Sequence, residues 1–138
     1  MYKNILIPTD GSDLAATAVK EIGAKAIGVT VTEPFHLLSV KPIQLEYTPA
    51  EYKKHSQAQA EKVLGSVSAA ADSAGVSCET LHVEHEHPYQ AIIDTAASKG
   101  CDLMVMASHG RRGVAAVVLG SETVKVLTRS KIPVLVYR

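Results

Sequence analysis

Short apolar runs alternate with longer segments of helical character, and this alternation limits the possible folds more than any other feature of the chain. We interpret the five runs as strands at Asn4–Pro8, Val29–Glu33, Val76–Val83, Asp102–Met106 and Pro133–Tyr137. Strands that alternate with helices form a parallel sheet, and the helices cover both of its faces. The sequence therefore predicts an α/β domain built on an open parallel sheet.

The clearest predicted helix begins at Thr48-Pro-Ala-Glu51, a capping box with proline at the first helical position. It should run to about Ala74, because Gly75 is a typical residue just past a helix end. The residues from Pro34 to Thr48 show no clear period and are expected to form a long loop. Further helices are predicted over Asp13–Ala26, Pro88–Lys99 and Ser121–Ser130.

Length and composition favour one soluble domain over residues 1–138. Hydrophobic residues make up 46% of the chain and charged residues 20%, which is ordinary for a globular protein. Fourteen basic and fourteen acidic side chains cancel, so no overall field favours nucleic acid or an anionic membrane. No apolar run approaches the ~20 residues of a membrane span, and the N-terminus does not resemble a signal peptide. Two cysteines outside any CxxC pair fit a reduced cytoplasm.

The fourth predicted strand runs into a glycine-containing loop, and Gly120-Ser121 then opens a helix. Glycine lets the backbone approach a ligand closely, and the first-turn N–H groups of a helix have no partner within the helix. Those donors and the positive end of the helix dipole favour an anion such as phosphate. Ser121 alone would also fit a plain helix cap, but that does not account for Gly110. We therefore predict phosphate binding by Gly110, Gly120 and Ser121.

With these residues the chain resembles a universal stress protein. Members of that family that bind ATP carry glycine, two residues, glycine, nine residues, and then glycine with serine or threonine. Here Gly110 is followed by nine residues and then by Gly120 and Ser121, while Ala107 replaces the first glycine. The segments Ile5–Ser12 and Ile132–Tyr137 are also similar to the family.

The resemblance implies an adenine nucleotide alpha hydrolase-like fold with strand order 3-2-1-4-5 and helices on both faces. Ligands of open α/β sheets bind beyond the carboxyl ends of the strands, where the winding direction reverses. This point lies between strands one and four, which brings Pro8-Thr9-Asp10 beside Met106-Ala107. The passage into strand two is shorter than in the family, since Gly28 leads almost directly into Val29. Either the first helix ends early, near Gly23, or strand two is shortened.

The resemblance also assigns roles around an adenine nucleotide. Pro8 and Thr9 match adenosine contacts, and the backbone of Val31 matches the position that contacts the adenine edge. Asp10 would lie near the ribose and phosphates, directly or through a divalent metal, although it could also cap the first helix. Met106 would pack near the adenine or ribose, or simply close the core. The implied cofactor-binding set is Pro8, Thr9, Asp10, Val31, Met106, Ala107, Gly110, Arg111, Gly120, Ser121, Glu122 and Thr123.

Three of these residues have more than one interpretation. Ala107 adds one methyl group, which costs little at negative φ and ~1 kcal/mol or more at positive φ. Arg111, with its neighbour Arg112, could bond to the β- or γ-phosphate or form a solvated pair. Glu122 works against an anion site unless it points away or helps to hold a metal.

The expected function is binding of ATP, or of ADP or AMP, with or without Mg²⁺, by a cytoplasmic stress-response regulator. The family resemblance also implies a homodimer formed through the last strand, and protein partners that the sequence does not name. The alternative is an interaction module on the same fold that binds no nucleotide. We assign no catalytic residue, because a Walker lysine, a Gly-x-Ser-x-Gly elbow and a Cys/His pair are all missing from the sequence. Slow ATP hydrolysis or autophosphorylation stays open.

Three histidines, His82, His85 and His87, lie along and beyond the third predicted strand. Zinc sites usually combine such histidines with cysteines or acidic residues at ligand spacing. The sequence has no such cluster around them, and we predict no metal site there.

Overall fold

The computed structural model describes residues 2–10, 24–35, 48–107 and 120–137. The strands in these ranges are β1 (Asn4–Pro8), β2 (Lys25–Thr32), β3 (Cys78–Glu84), β4 (Leu103–Ala107) and β5 (Val134–Tyr137). The helices are α1 (Pro49–Ala74), α2 (Pro88–Ser98) and α3 (Ser121–Arg129). The predicted alternation is confirmed for these elements. Most of the predicted first helix and of the predicted loop after strand two lies outside the described residues.

The strands form one parallel sheet in the order β3-β2-β1-β4-β5, as predicted. The chain winds outward from β1 through β2 to β3, then returns to the other side of β1 and continues through β4 to β5. The winding direction therefore reverses between β1 and β4, which lie side by side. β3 and β5 are the two edges of the sheet.

Successive residues of each strand point to opposite faces of the sheet, and both faces are covered by helices. On one face Ile5, Ile7 and Val105 pack against Val67 and Ala71 of α1. The opposite core combines strand residues with residues of α2 and α3, and its main members are Leu6, Ile27, Val29, Ile92, Ala96, Met104, Met106 and Val126. The prediction of helices on both faces is confirmed.

β2 begins at Lys25 rather than Val29, which corrects the predicted boundary. The predicted helix was wrong to include Lys25 and Ala26, and the second strand is not shortened. Gly28 lies inside the strand, and a Cβ atom placed there would be 3.0 Å from Cγ1 of Val67 on α1. Glycine at this position therefore serves close packing of a helix on the sheet and not a turn.

α1 follows its prediction at both ends. The Thr48 hydroxyl accepts a hydrogen bond from the Glu51 N–H (3.2 Å), and the Glu51 carboxylate accepts one from the Thr48 N–H (2.9 Å). Gly75 ends the helix in the left-handed conformation, with φ of 70°. In the described parts of the chain, no helix is long and apolar enough to cross a membrane.

Asp102 fixes β1 beside β4 at the amino ends of the strands. Its carboxylate accepts hydrogen bonds from the N–H groups of Lys3 (2.9 Å) and Asn4 (3.1 Å), and its own N–H donates to the Asn4 carbonyl. These N–H donors, Lys3 first, favour the ionised carboxylate and lower the pKa of Asp102. The junction of β1 and β4 is therefore held at one end by a side chain and opens at the other.

The packing of Gly28 leads to a matched pair of stability predictions. Gly28→Val should lower the free energy of unfolding by about 1–3 kcal/mol, because the added atoms collide with Val67. Gly65→Ala, in the interior of α1 with open space around its Cβ position, should raise it by about 0.5–1 kcal/mol. Urea unfolding measures both values. A Gly28→Val variant with the same free energy of unfolding as the wild type would show that α1 does not pack this closely on β2.

Candidate functional site

A cleft of about 290 Å³ opens at the carboxyl ends of β1 and β4, on the sheet face that carries α2 and α3. Its lining residues are Pro8, Thr9, Asp10, Val29, Val31, Pro88, Ile92, Met106, Ala107, Gly120, Ser121, Glu122 and Thr123. The cleft lies where the winding direction of the sheet reverses, which is where open α/β sheets bind their ligands.

All predicted site residues line this cleft except Gly110 and Arg111, which lie outside the described residues together with Arg112. Sequence analysis missed three lining residues, Val29, Pro88 and Ile92. Val29 could have been found, because it stands two residues before Val31 and therefore shares its face. Pro88 and Ile92 are four residues apart on the first turns of α2, and their role depends on how that helix packs.

One part of the cleft is apolar. Val29, Val31, Met106 and Ile92 form a surface suited to a flat ring. The Thr9 N–H donates to the Val29 carbonyl (2.9 Å), so the backbone groups of Val29 face β1. Because alternate residues of a strand share their orientation, the N–H and C=O of Val31 point the same way, beyond the end of β1.

The opposite part of the cleft is the beginning of α3. Gly120 is the N-cap residue and has no side chain to cap the terminus, and Ser121 is the first helical residue. The interpretation of Ser121 as a plain N-cap is therefore wrong. A helix of this length presents its first-turn N–H groups and the positive end of its dipole at this point. The geometry suits an anion.

Thr123 joins the first turn of α3 to the end of β4. Its side chain is buried, and its hydroxyl donates a hydrogen bond to the Ala107 carbonyl (3.2 Å). Ala107 is the last residue of β4 and pairs with Tyr137 of β5, so its backbone is extended. Extended backbone suits any L-residue, and alanine in place of the glycine of the motif causes no strain.

Glu122 does more than line the cleft. Its Oε2 accepts a hydrogen bond from the Tyr89 N–H in the first turn of α2 (2.9 Å), and its Oε1 lies 3.3 Å from Nζ of Lys125. His87, the N-cap residue of α2, makes no side-chain capping bond. Glu122 therefore caps α2 from the neighbouring helix, a contact across 33 residues of sequence that no local pattern reveals.

Comparison with known proteins agrees with this architecture. The sequence model of the universal stress protein family matches residues 1–138. The chain belongs to the universal stress protein family.

Its relatives in this family match along the whole chain. A universal stress protein of Thermus aquaticus is 33% identical over 140 residues and covers all of both chains. MJ0577 of Methanocaldococcus jannaschii is 26% identical over 156 residues, which covers 100% of this chain and 96% of the relative. The solved structure of MJ0577 has a TM-score of 0.77 and covers 99% and 96% of the two chains. A universal stress protein in complex with cAMP has a TM-score of 0.64, 26% identity, and coverage of 99% and 97%.

The histidines that sequence analysis considered do not converge. His82 Nε2 lies 2.7 Å from the Thr32 hydroxyl, whereas His85 Nδ1 accepts a hydrogen bond from the His87 N–H (2.8 Å) beyond the end of β3. Within the described ranges, no group of three or more His, Cys, Asp or Glu side chains is arranged to hold a metal ion.

The link between Thr123 and Ala107 leads to a prediction about stability. Thr123→Val keeps the shape of the side chain but leaves the Ala107 carbonyl without its hydroxyl donor, so the free energy of unfolding should fall by about 1–3 kcal/mol. Thr123→Ser keeps the donor and should recover the part of that loss due to the hydrogen bond. Thermal and urea unfolding compare the two variants. A valine variant as stable as the wild type, with a loss in the serine variant alone, would mean that the methyl group, not the hydroxyl, stabilises this junction.

Proposed function

We propose that this chain is a regulatory protein that binds an adenine nucleotide, ATP or its products ADP and AMP, in the cleft between β1 and β4. The observation that carries the proposal is the start of α3 at Gly120 and Ser121, whose N-cap residue has no side chain and which lines the same cleft as the apolar surface around Val31. An anion site beside an apolar slot matches the two halves of a nucleotide. A related universal stress protein, 26% identical to this chain, forms a complex with cAMP.

Each part of the nucleotide has a place in this proposal. The adenine packs among Val29, Val31, Met106 and Ile92, with its edge toward the backbone of Val31. The ribose lies near Pro8, Thr9 and Asp10, and the phosphates lie at Gly120 and Ser121. Gly110 and Arg111 belong to the same proposed site.

We also propose that the protein acts by binding and not by catalytic turnover. Among the described lining residues, the ionisable side chains are those of Asp10 and Glu122, and the Glu122 carboxylate is held by Tyr89 and Lys125. Neither arrangement supplies a lysine or arginine against a transferring phosphoryl group. Mg²⁺ would accompany the phosphates, with the Asp10 carboxylate as an oxygen ligand in the described cleft.

The cellular role follows from the family. We infer that the protein works in the stress response of the cytoplasm, through protein partners whose recognition depends on the bound nucleotide. The two cysteines, Cys78 and Cys101, are free, and burial raises the pKa of both thiols. Such thiols are poor nucleophiles and suit a reduced compartment.

We further propose that two copies associate through β5. Within the described ranges β5 pairs with β4 alone, and Leu135 is 54% exposed. The Pro133 carbonyl accepts from the Met104 N–H, so residues 133, 135 and 137 face β4 and the backbone groups of Val134 and Val136 face outward. Antiparallel pairing with a second β5 would satisfy these outward groups by a twofold contact.

The nucleotide proposal predicts a saturable isotherm for at least one of ATP, ADP and AMP in titration calorimetry. Gly120→Val should remove most of the affinity, because its side chain would occupy the path of the phosphate. The backbone at Gly120 (φ −59°, ψ 150°) accepts valine without strain, so the loss would report obstruction and not misfolding.

Gly65→Ala, far from the cleft on α1, is the matched control and should bind like the wild type. The same samples should turn over ATP far more slowly than the ~1–100 s⁻¹ of dedicated kinases. An absence of heat for all three nucleotides, with none copurified, would refute nucleotide binding and favour the interaction module without nucleotide.

The dimer proposal predicts that Val136→Pro is a folded monomer. Proline removes an outward N–H that the β4–β5 ladder does not use, so the exchange should affect association and not folding. Val136→Thr keeps that N–H and should remain dimeric. Light scattering at micromolar concentration gives the mass, and circular dichroism reports the fold. A wild-type protein with the mass of one chain, or a dimeric Val136→Pro variant, would contradict the proposal.

A further inference from the structure

Two helices begin at the cleft, α2 at Pro88 and α3 at Ser121, and each start is able to accept an anion. The carboxylate of Glu122 already occupies the start of α2, where it accepts the Tyr89 N–H. The start of α3 has glycine as its N-cap, so the cap residue itself supplies no side chain there. Among the described residues, one of these two termini is therefore filled by a carboxylate, and the other is the proposed place of a phosphate.

The carboxylate that fills one terminus also lies beside the other. Glu122 is the second residue of α3, within the turn that would receive the phosphate. Its bonds to Tyr89 and Lys125 hold it in place, and turning it away would leave α2 without its cap. The other described ionisable lining residue, Asp10, is also acidic. Lys125 offsets part of the Glu122 charge, and solvent screens the pair because both side chains are more than a third exposed.

We propose that Glu122 lowers the affinity of the cleft for each added phosphate charge, and so shifts its specificity away from ATP and toward adenine nucleotides with a single phosphate group. The inference rests on the nucleotide binding proposed above. The first phosphate gains the helix N–H groups and the dipole of α3. Each further phosphate adds negative charge near a fixed carboxylate, and the second helix terminus that could have received it is occupied. In water, the repulsion between two unit charges about 6 Å apart weakens a binding constant about threefold. Several phosphate charges near Glu122 should therefore lower the affinity for ATP measurably more than the affinity for AMP.

The test uses the full chain and a ligand series that differs only in phosphate number: adenosine, AMP, ADP and ATP. Calorimetry at low salt with a chelator compares the wild type, Glu122→Gln and Glu61→Gln. Glutamine at position 122 keeps an acceptor for the Tyr89 N–H and removes the charge. We expect the ratio of the ATP affinity to the AMP affinity to be higher in Glu122→Gln than in the wild type. Glu122→Gln should strengthen ATP binding about tenfold and AMP binding about threefold, and leave adenosine unchanged.

Two controls separate charge from structure. Glu61→Gln makes the same chemical change at an exposed position on α1 and should alter none of the affinities. Lys125→Met removes the cation 3.3 Å from Glu122 Oε1. It should change the nucleotide affinities in the direction opposite to Glu122→Gln, with weaker ATP binding and unchanged adenosine binding. Both effects should shrink in ~1 M salt, where the screening length is about 3 Å.

The possible results give distinct conclusions. Equal shifts for adenosine and ATP in Glu122→Gln would assign Glu122 a purely structural role and overturn the inference. A ratio of ATP to AMP affinity that is the same in Glu122→Gln and the wild type would overturn it as well. If adenosine and all three nucleotides fail to bind, the proposed function itself is wrong and the specificity inference falls with it.

Discussion

The pairing of β1 with β4 is the constraint on which the rest of this structure depends. Asp102 holds the two strands together at their amino ends through the backbone of Lys3 and Asn4. Because the chain winds in opposite directions on the two sides of this junction, the connections leave the carboxyl ends apart. The cleft is the space that results, and its walls are the last residues of β1 and β4 and the first turns of α2 and α3.

Much of this arrangement is predictable from the sequence, because its causes are local. The capping box at Thr48 and the apolar runs of the central strands act over a few residues. They predicted which elements form and how these follow one another along the chain. The start of strand two was placed too late, at Val29, because glycine weakens a strand pattern, whereas here the role of Gly28 depends on Val67, a residue of a distant helix. The predicted ends of strands and helices are wrong where tertiary packing, and not the local sequence, decides them.

The same distinction applies to the candidate site. The resemblance to a family predicted most of the lining residues, since it transfers positions along a common fold. It did not predict the contact between Glu122 and the Tyr89 N–H, because this chain makes that contact across two helices. The contact makes a residue in the first turn of α3 a cap for the neighbouring helix α2. Stability of α2 and the electrostatics of the cleft thus share one side chain.

The two edges of the sheet differ in a way that limits growth. β5 is apolar at its edge, whereas β3 exposes the polar side chains of Thr80, His82 and Glu84. If two copies join through β5, the enlarged sheet has a β3 strand at each end. Charged and polar edges resist further strand addition. The composition of β3 would then terminate the assembly at a closed pair and keep a parallel sheet with an apolar edge from extending into a fibre.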